Sequence, residues 1–185
     1  MIGAVLAGGA GRRMGRASKP GVLLAGRPLI AYPVAALAPV CSRLVVVCKA
    51  GTSLPELPGV ERWDEPDEPL HPVAGILHAL ERADGPVLVC AADMPFVTAD
   101  ACRTLMQAPT SSSAVVAVSE GILQPVFGMY APAALDVLRS APSGAPLTET
   151  VEALDPVRVA FSPALVRSVN TTDDLAEAEA LLAAR

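Results

Sequence analysis

Leu6-Ala-Gly-Gly-Ala-Gly-Arg-Arg-Met-Gly-Arg-Ala-Ser-Lys19 is the stretch on which the reading of this chain turns. It follows the apolar run 1–6, which has the length and composition of a buried first strand. Gly8, Gly9, Gly11 and Gly15 then give a loop whose backbone turns tightly and lets a ligand come close. Arg12, Arg13 and Lys19 lie in that loop or just past it. Backbone amides and clustered cations after a first strand are the chemistry of a phosphate cradle, in which N–H groups hold oxygens and cations neutralise them. The bland alternative is a glycine-rich surface turn with solvated arginines.

Two familiar cradles do not fit. A Walker A loop needs G-x-x-x-x-G-K-S/T, and Lys19 is followed by Pro20 and lacks the preceding spacing. The dinucleotide fingerprint G-x-G-x-x-G, read from Gly9, needs glycine where Met14 stands and a helix directly after. Pro20, Gly21 and Gly26-Arg-Pro28 predict continued loop and a turn instead.

Outward from the loop, strand and helix signals alternate. Runs 44–48, 60–63, 87–90, 114–118, 126–130 and 157–161 read as strands, and 29–38, 72–83, 99–106, 131–139 and 173–184 as helices. Thr98 and the pair Thr171-Thr172 are placed as helix caps, with Asp173 and Asp174 in the last helix's first turn. Such alternation predicts an α/β fold of three layers, Rossmann-like, with a mainly parallel sheet. No linker or repeat divides the chain, so residues 1–185 are expected to form a single domain.

Composition sets bounds. Of 185 residues, 52% are hydrophobic and 18% charged, which is globular and far from disorder. Aromatics are only 3%, so small side chains build the core. A net charge of −5 argues against a nucleic-acid-coating surface, so an anionic ligand needs a local cluster of cations. No apolar window is long enough to span a membrane and no leader precedes the first strand; the expectation is a cytoplasmic protein with no membrane contact. Cys41, Cys48, Cys90 and Cys102 show no C-x-x-C spacing and read as free thiols, mostly buried.

Asp93 is the second anchor. It closes the apolar strand 87–90 and precedes Met94-Pro95, which force an abrupt exit. A carboxylate there is costly unless partnered, and a hard divalent cation such as Mg²⁺ is a natural partner. The alternative is an aspartate that caps the following turn. Asp64 ends the strand 60–63 in the same manner, at the head of an acidic, proline-rich loop that runs to His71.

Leu6, Ala7, Gly8, Gly9, Arg13, Met14, Gly15 and Lys19 fall in register with L-A-G-G-x-x-x-R-M-G-x-x-x-K, and the chain thereby resembles the molybdenum cofactor guanylyltransferases. These belong to a wider class of nucleotidyltransferases that includes sugar-nucleotide pyrophosphorylases. Cys90-Ala-Ala-Asp93-Met-Pro95 looks like the family's C-x-x-D-x-P, and His71-Pro-Val-Ala-Gly75 like its G-P-L-A-G, with histidine for the first glycine. Gln124-Pro-Val-Phe-Gly-Met-Tyr130 and Val169-Asn-Thr-Thr-Asp-Asp-Leu175 are similar to two further family segments. The last keeps Asn170 but has Ser168 and Thr172 where the family carries asparagine and proline.

The resemblance implies transfer of GMP from GTP to the molybdopterin-bound molybdenum cofactor, with release of pyrophosphate and with Mg²⁺ as cofactor. It implies Arg13, Lys19 and Asp93 as catalytic, Asp93 as metal ligand, and Leu6, Ala7, Gly8, Gly9, Gly11, Arg13, Lys19, Asp64 and Asp93 around the nucleotide. Gln124 and Asn170 fall to the acceptor side, and transient contact with molybdenum-insertion proteins or molybdoenzyme chaperones follows as a partner expectation. Cys48 stands where the family usually has a nucleotide-contacting asparagine, which predicts looser guanine discrimination. A cytidylyltransferase, another NTP transferase with a different phosphorylated acceptor, or a silent nucleotide-binding partner of molybdoenzymes stays open as an alternative.

Overall fold

The computed structural model describes residues 1–8, 19–68, 71–109, 111–142 and 144–184. In chain order its elements are β1 (Ile2–Leu6), β2 (Leu23–Leu24), β3 (Arg27–Pro28), α1 (Ala31–Leu37), β4 (Arg43–Lys49), β5 (Val60–Glu65) and α2 (Pro72–Arg82). There follow β6 (Val87–Ala91), α3 (Ala99–Gln107), β7 (Ala114–Ser119), β8 (Ile122–Tyr130), α4 (Leu135–Ser140), α5 (Leu147–Glu152), β9 (Val157–Ala160) and α6 (Thr172–Ala183). The central apolar runs became strands that bury both faces, β6 at every position, whereas the edge strands β5 and β9 alternate with exposed positions.

The main sheet has seven strands in the order β5-β4-β1-β6-β8-β7-β9. Only β8 runs against the rest: it pairs antiparallel with β6 and β7, while every other pairing in this sheet is parallel. The architecture is therefore the expected α/β one with a mainly parallel sheet. From β1 the chain first adds β4 and β5 on one side and then crosses to β6 on the other. That reversal opens a crevice at the carboxyl ends of β1 and β6.

Two apolar layers sandwich the sheet. On one face Val5, Val46, Cys48, Leu88 and Cys90 pack with Leu37 of α1 and Leu105 of α3. On the other, Ala4, Val45, Val47, Trp63 and Val89 pack with Ile76 and Leu80 of α2 and Leu138 of α4. A third, smaller cluster joins Leu24, Leu29 and Phe96 to Val169 and Ala178, and so docks α6 against the β2–β3 hairpin.

Thr98 caps α3, its hydroxyl accepting from the Ala101 amide at 3.2 Å. Thr171 and Asp174 form a capping box at α6: the Thr171 hydroxyl accepts from the Asp174 amide at 3.1 Å, and the Asp174 carboxylate from the Thr171 amide at 2.9 Å. Helix α5 and the β2–β3 hairpin are additions to the expected set, and the segment expected as one helix over 131–139 is a 3-10 turn, Pro132–Ala134, followed by α4. The four thiols are free, with Cys41 half-buried and the others buried.

Candidate active site

The cleft forms where three strand ends are stitched together. The Ala7 amide donates to the Val47 carbonyl at 2.8 Å, and the Ala92 amide to the Leu6 carbonyl at 3.0 Å. These bonds carry the parallel ladders of β4, β1 and β6 one residue past the strands, after which the chains diverge. The resulting cleft of about 270 Å³ is lined from β1 by Leu6, Ala7 and Gly8, and from β6 by Ala91, Ala92 and Asp93. His71, Pro72 and Gly75 bring the start of α2 to it, and Val126, Ser168 and Asn170 close the far side.

Asp93 lies half-buried in the turn after β6. Its carbonyl accepts the Val169 amide at 2.8 Å, which ties the segment before α6 to the cleft. Asn170, next in sequence, is thereby brought to the same lining as Asp93. The Asn170 amide in turn donates to the Asp174 carboxylate at 2.8 Å, so its backbone is fixed by the helix cap. Those amides, the Asn170 one foremost, hold the Asp174 carboxyl below its ordinary range.

At the other end stands a carboxylate that the motif reading missed. Glu65, the last residue of β5, is only 6% exposed and lies in the cleft wall. Its Oε1 is 3.5 Å from the Lys49 ammonium, and Lys49 also donates to the Pro66 carbonyl. Its Oε2 is buried with no hydrogen-bond partner among the described residues. Burial pushes the Glu65 carboxyl up, and the neighbouring Lys49 offsets part of that rise.

Two glycines make room for it. A Cβ on Gly8 would stand 2.0 Å from Glu65 Oε1, and one on Gly75 would stand 3.3 Å from Oε2. Gly8 comes from the loop after β1 and Gly75 from α2, so Glu65 joins the two walls.

The expected site residues divide accordingly. Leu6, Ala7, Gly8, Asp93 and Asn170 meet in one cleft. Lys19 begins a 3-10 turn, Lys19–Gly21, whose Pro20 lines that cleft. Gly9, Gly11 and Arg13 lie outside the described residues.

Asp64 is not brought to the cleft. It is paired in β5 opposite Cys48 of β4, its carboxylate is 52% exposed, and it accepts from Arg62 Nε at 2.6 Å. The reason is strand alternation: with Trp63 buried against α2, Glu65 falls on the same side and Asp64 on the other. The same alternation places Cys48 in the core on the α1 and α3 side, off the cleft lining.

Gln124 also lies off the cleft, its amide only 3.5 Å from the Ile122 carbonyl. The register of β8 against β7 jumps from Gly128 to Gln124, and the residue that this bulge presents to the cleft is Val126. Tyr130 holds the bulge, donating its hydroxyl to the Pro125 carbonyl at 2.6 Å. His71 caps α2, its Nδ1 accepting from the Val73 amide at 3.3 Å.

Among the described residues no three His, Cys, Asp or Glu side chains converge into a closed metal cage. Mg²⁺ does not require one: it keeps waters and is held by one or two carboxylates together with phosphate oxygens. A cleft with Asp93 at one end and room for a phosphate chain fits that habit.

The family model described as MobA-like NTP transferase domain matches residues 3–157. A molybdenum cofactor guanylyltransferase of Bradyrhizobium sp. (strain ORS 278) is 32% identical over an alignment that covers 98% of this chain and 92% of its own. Another, from Cereibacter sphaeroides, is 32% identical with 98% of this chain and 97% of its own covered. Molybdopterin-guanine dinucleotide biosynthesis protein A from Archaeoglobus fulgidus superposes with a TM-score of 0.78 at 25% identity, covering 100% of both chains. A 2-C-methyl-D-erythritol 4-phosphate cytidylyltransferase from Thermus thermophilus shares the fold, with a TM-score of 0.74 at 20% identity over 97% of this chain and 98% of that one.

Proposed function

This chain belongs to the MobA-like NTP transferase family, and from that premise we propose that it transfers GMP from GTP to the molybdopterin-bound molybdenum cofactor and releases pyrophosphate. The observation that carries the reading is the likeness, over nearly the whole chain, to molybdenum cofactor guanylyltransferases. The meeting of Asp93 with Leu6, Ala7 and Gly8 at the strand-order reversal supports it, because parallel sheets hold nucleotides there.

In this reading the acceptor's terminal phosphate attacks the α-phosphorus of GTP in line, and the protein contributes position and charge. The backbone after β1, from Leu6 to Gly8, lies against the nucleotide. Lys19 and Arg13 neutralise the departing pyrophosphate. The start of α2, capped by His71, brings His71, Pro72 and Gly75 to the same cleft.

Asp93 would hold Mg²⁺, and Asn170, in the same cleft lining, would serve as a neutral oxygen ligand or phosphate donor. When bound, the ion supplies charge neutralisation across the phosphates. Asp93 stays where it is because the Val169 amide fixes its carbonyl. GTP is a cytoplasmic substrate, which puts the reaction in the cytoplasm. Delivery of the product calls for transient contact with a molybdenum-insertion protein or molybdoenzyme chaperone.

The test is pyrophosphate release by the purified chain with each of the common NTPs, with and without molybdopterin cofactor and Mg²⁺. Release that requires GTP, cofactor and Mg²⁺ together is expected. Release with CTP in preference to GTP, or with no need for the molybdopterin acceptor, overturns the assignment.

A further inference from the structure

We propose that Asp174 is a positioning residue for the nucleotidyl-transfer site, holding the segment 168–170 against the turn of Asp93 through the Asn170 amide; this rests on the nucleotidyl-transfer reading above. Oδ2 of Asp174 accepts two amides, that of Thr171 at 2.9 Å and that of Asn170 at 2.8 Å. Only the first belongs to a capping box, which joins the N-cap residue to the third residue of the helix. The second reaches back one residue further, beyond what the helix needs, and takes hold of a residue in the cleft lining.

The three residues ahead of the cap face alternate sides. Ser168 and Asn170 line the cleft, whereas Val169 is fully buried in the cluster that holds Phe96. The Val169 amide donates to the Asp93 carbonyl at 2.8 Å. Residues 167–171 belong to no strand or helix, so such bonds take the place of a ladder. The segment is pinned at successive residues, by Asp93 at Val169 and by Asp174 at Asn170, and both pins must hold for Asn170 to share one space with Asp93.

Helix α6 also reaches the opposite wall. Its Glu179 carboxylate accepts from the Ala25 amide at 3.4 Å, and its Ala178 shares a cluster with Leu24 and Leu29 of the β2–β3 hairpin region. That hairpin leads out of the Lys19–Gly21 turn, whose Pro20 lines the cleft. One helix therefore links the turn of Lys19 to the turn of Asp93, and Asp174 sits at the end nearest Asp93.

The experiment separates positioning from helix stability with three variants of the full chain. Asp174→Ala removes both bonds. Asp174→Glu keeps a carboxylate that can close the capping box, since glutamate serves at that place, but sets it one methylene away from its hold on the Asn170 amide. Ala176→Gly, at an exposed position inside α6, weakens the helix and leaves both bonds in place. Pyrophosphate release from GTP with Mg²⁺ and molybdopterin cofactor, melting temperature and amide exchange at Val169 are measured on each.

Asp174→Glu should melt close to wild type yet lose about tenfold to a hundredfold in kcat, the scale of a small misplacement at the reacting groups, with the KM for GTP little changed. Its Val169 amide should exchange faster, because the neighbouring pin is gone. Asp174→Ala should show the same two losses together with a lower melting temperature. Ala176→Gly should melt lower and keep its kcat. Activity that follows melting temperature across the three variants overturns the inference and leaves Asp174 a helix cap. So does a wild-type kcat in Asp174→Glu, or unchanged Val169 exchange in Asp174→Ala. A wild-type chain that releases no pyrophosphate with any NTP overturns the parent reading and this one together.

Discussion

Gly8→Ala tests whether that glycine is kept for space. Its φ lies outside the left-handed region, so alanine can adopt the backbone, yet its Cβ would meet Glu65 Oε1 at 2.0 Å, where ordinary contact begins near 3.4 Å. The carboxylate must therefore retreat by about 1.4 Å. The obstacle is the tip of a flexible side chain, so a rotamer change resolves it, at a cost of roughly 1–2 kcal/mol for leaving its well and the Lys49 contact. Replacing glycine by alanine at a permitted φ returns roughly 0.4–1 kcal/mol through the unfolded chain. The net destabilisation is thus small, between about 0 and about 1.6 kcal/mol. In a Glu65→Ala background the clash is gone, and Gly8→Ala should become stabilising. Urea unfolding of the wild type, both single variants and the double variant gives the coupling, expected at about 1–2 kcal/mol. Additive single effects would refute the contact, whatever happened to activity.

Other outcomes follow from the same geometry. Asp93→Asn should abolish Mg²⁺-dependent pyrophosphate release while the melting temperature stays close to wild type, since the Val169 bond uses the Asp93 carbonyl; an active but destabilised variant points to a capping role instead. Burial raises the Glu65 carboxyl above its ordinary 4.5, so the folded chain binds more protons in the window just above that value and stability falls as pH rises through it. Glu65→Gln should flatten that slope and stabilise the chain at neutral pH; urea unfolding from about pH 4 to about pH 7 checks this, and an unaltered slope refutes it. Cys48→Asn puts an unpaired amide into the apolar cluster that holds Val46 and Cys90 and should cost about 1–3 kcal/mol with no gain in GTP affinity. Tighter GTP binding by that variant would mean Cys48 faces the nucleotide after all.

Much of this was legible because the signals were local. The strands at 44–48 and 87–90 are continuous apolar runs, and Thr98 and Thr171 announce their helices by cap chemistry. What was not legible depends on partners far along the chain. Helix α5 is short and follows Pro142 and Pro146, so its formation comes from Val151 packing against the α2 side of the sheet. The reversed direction of β8 is a property of pairing, and its bulge, which exchanges Gln124 for Val126 at the cleft, arises only against β7.

The acids at the end of β5 show a case where the signal was present. Asp64 and Glu65 are neighbours, and a motif spacing cannot tell which of them turns inward. Strand alternation can: the one tryptophan of the chain is buried at position 63, so period two sends 65 to the same side and 64 to the other. The glycines complete the point. Read singly, Gly8 belongs to a phosphate loop and Gly75 to the approach of a helix. Together they leave the space that one buried carboxylate fills between them. The β1 loop, β5 and α2 therefore meet at a single side chain, and whatever sets the position of Glu65 sets the shape of the cleft's far end.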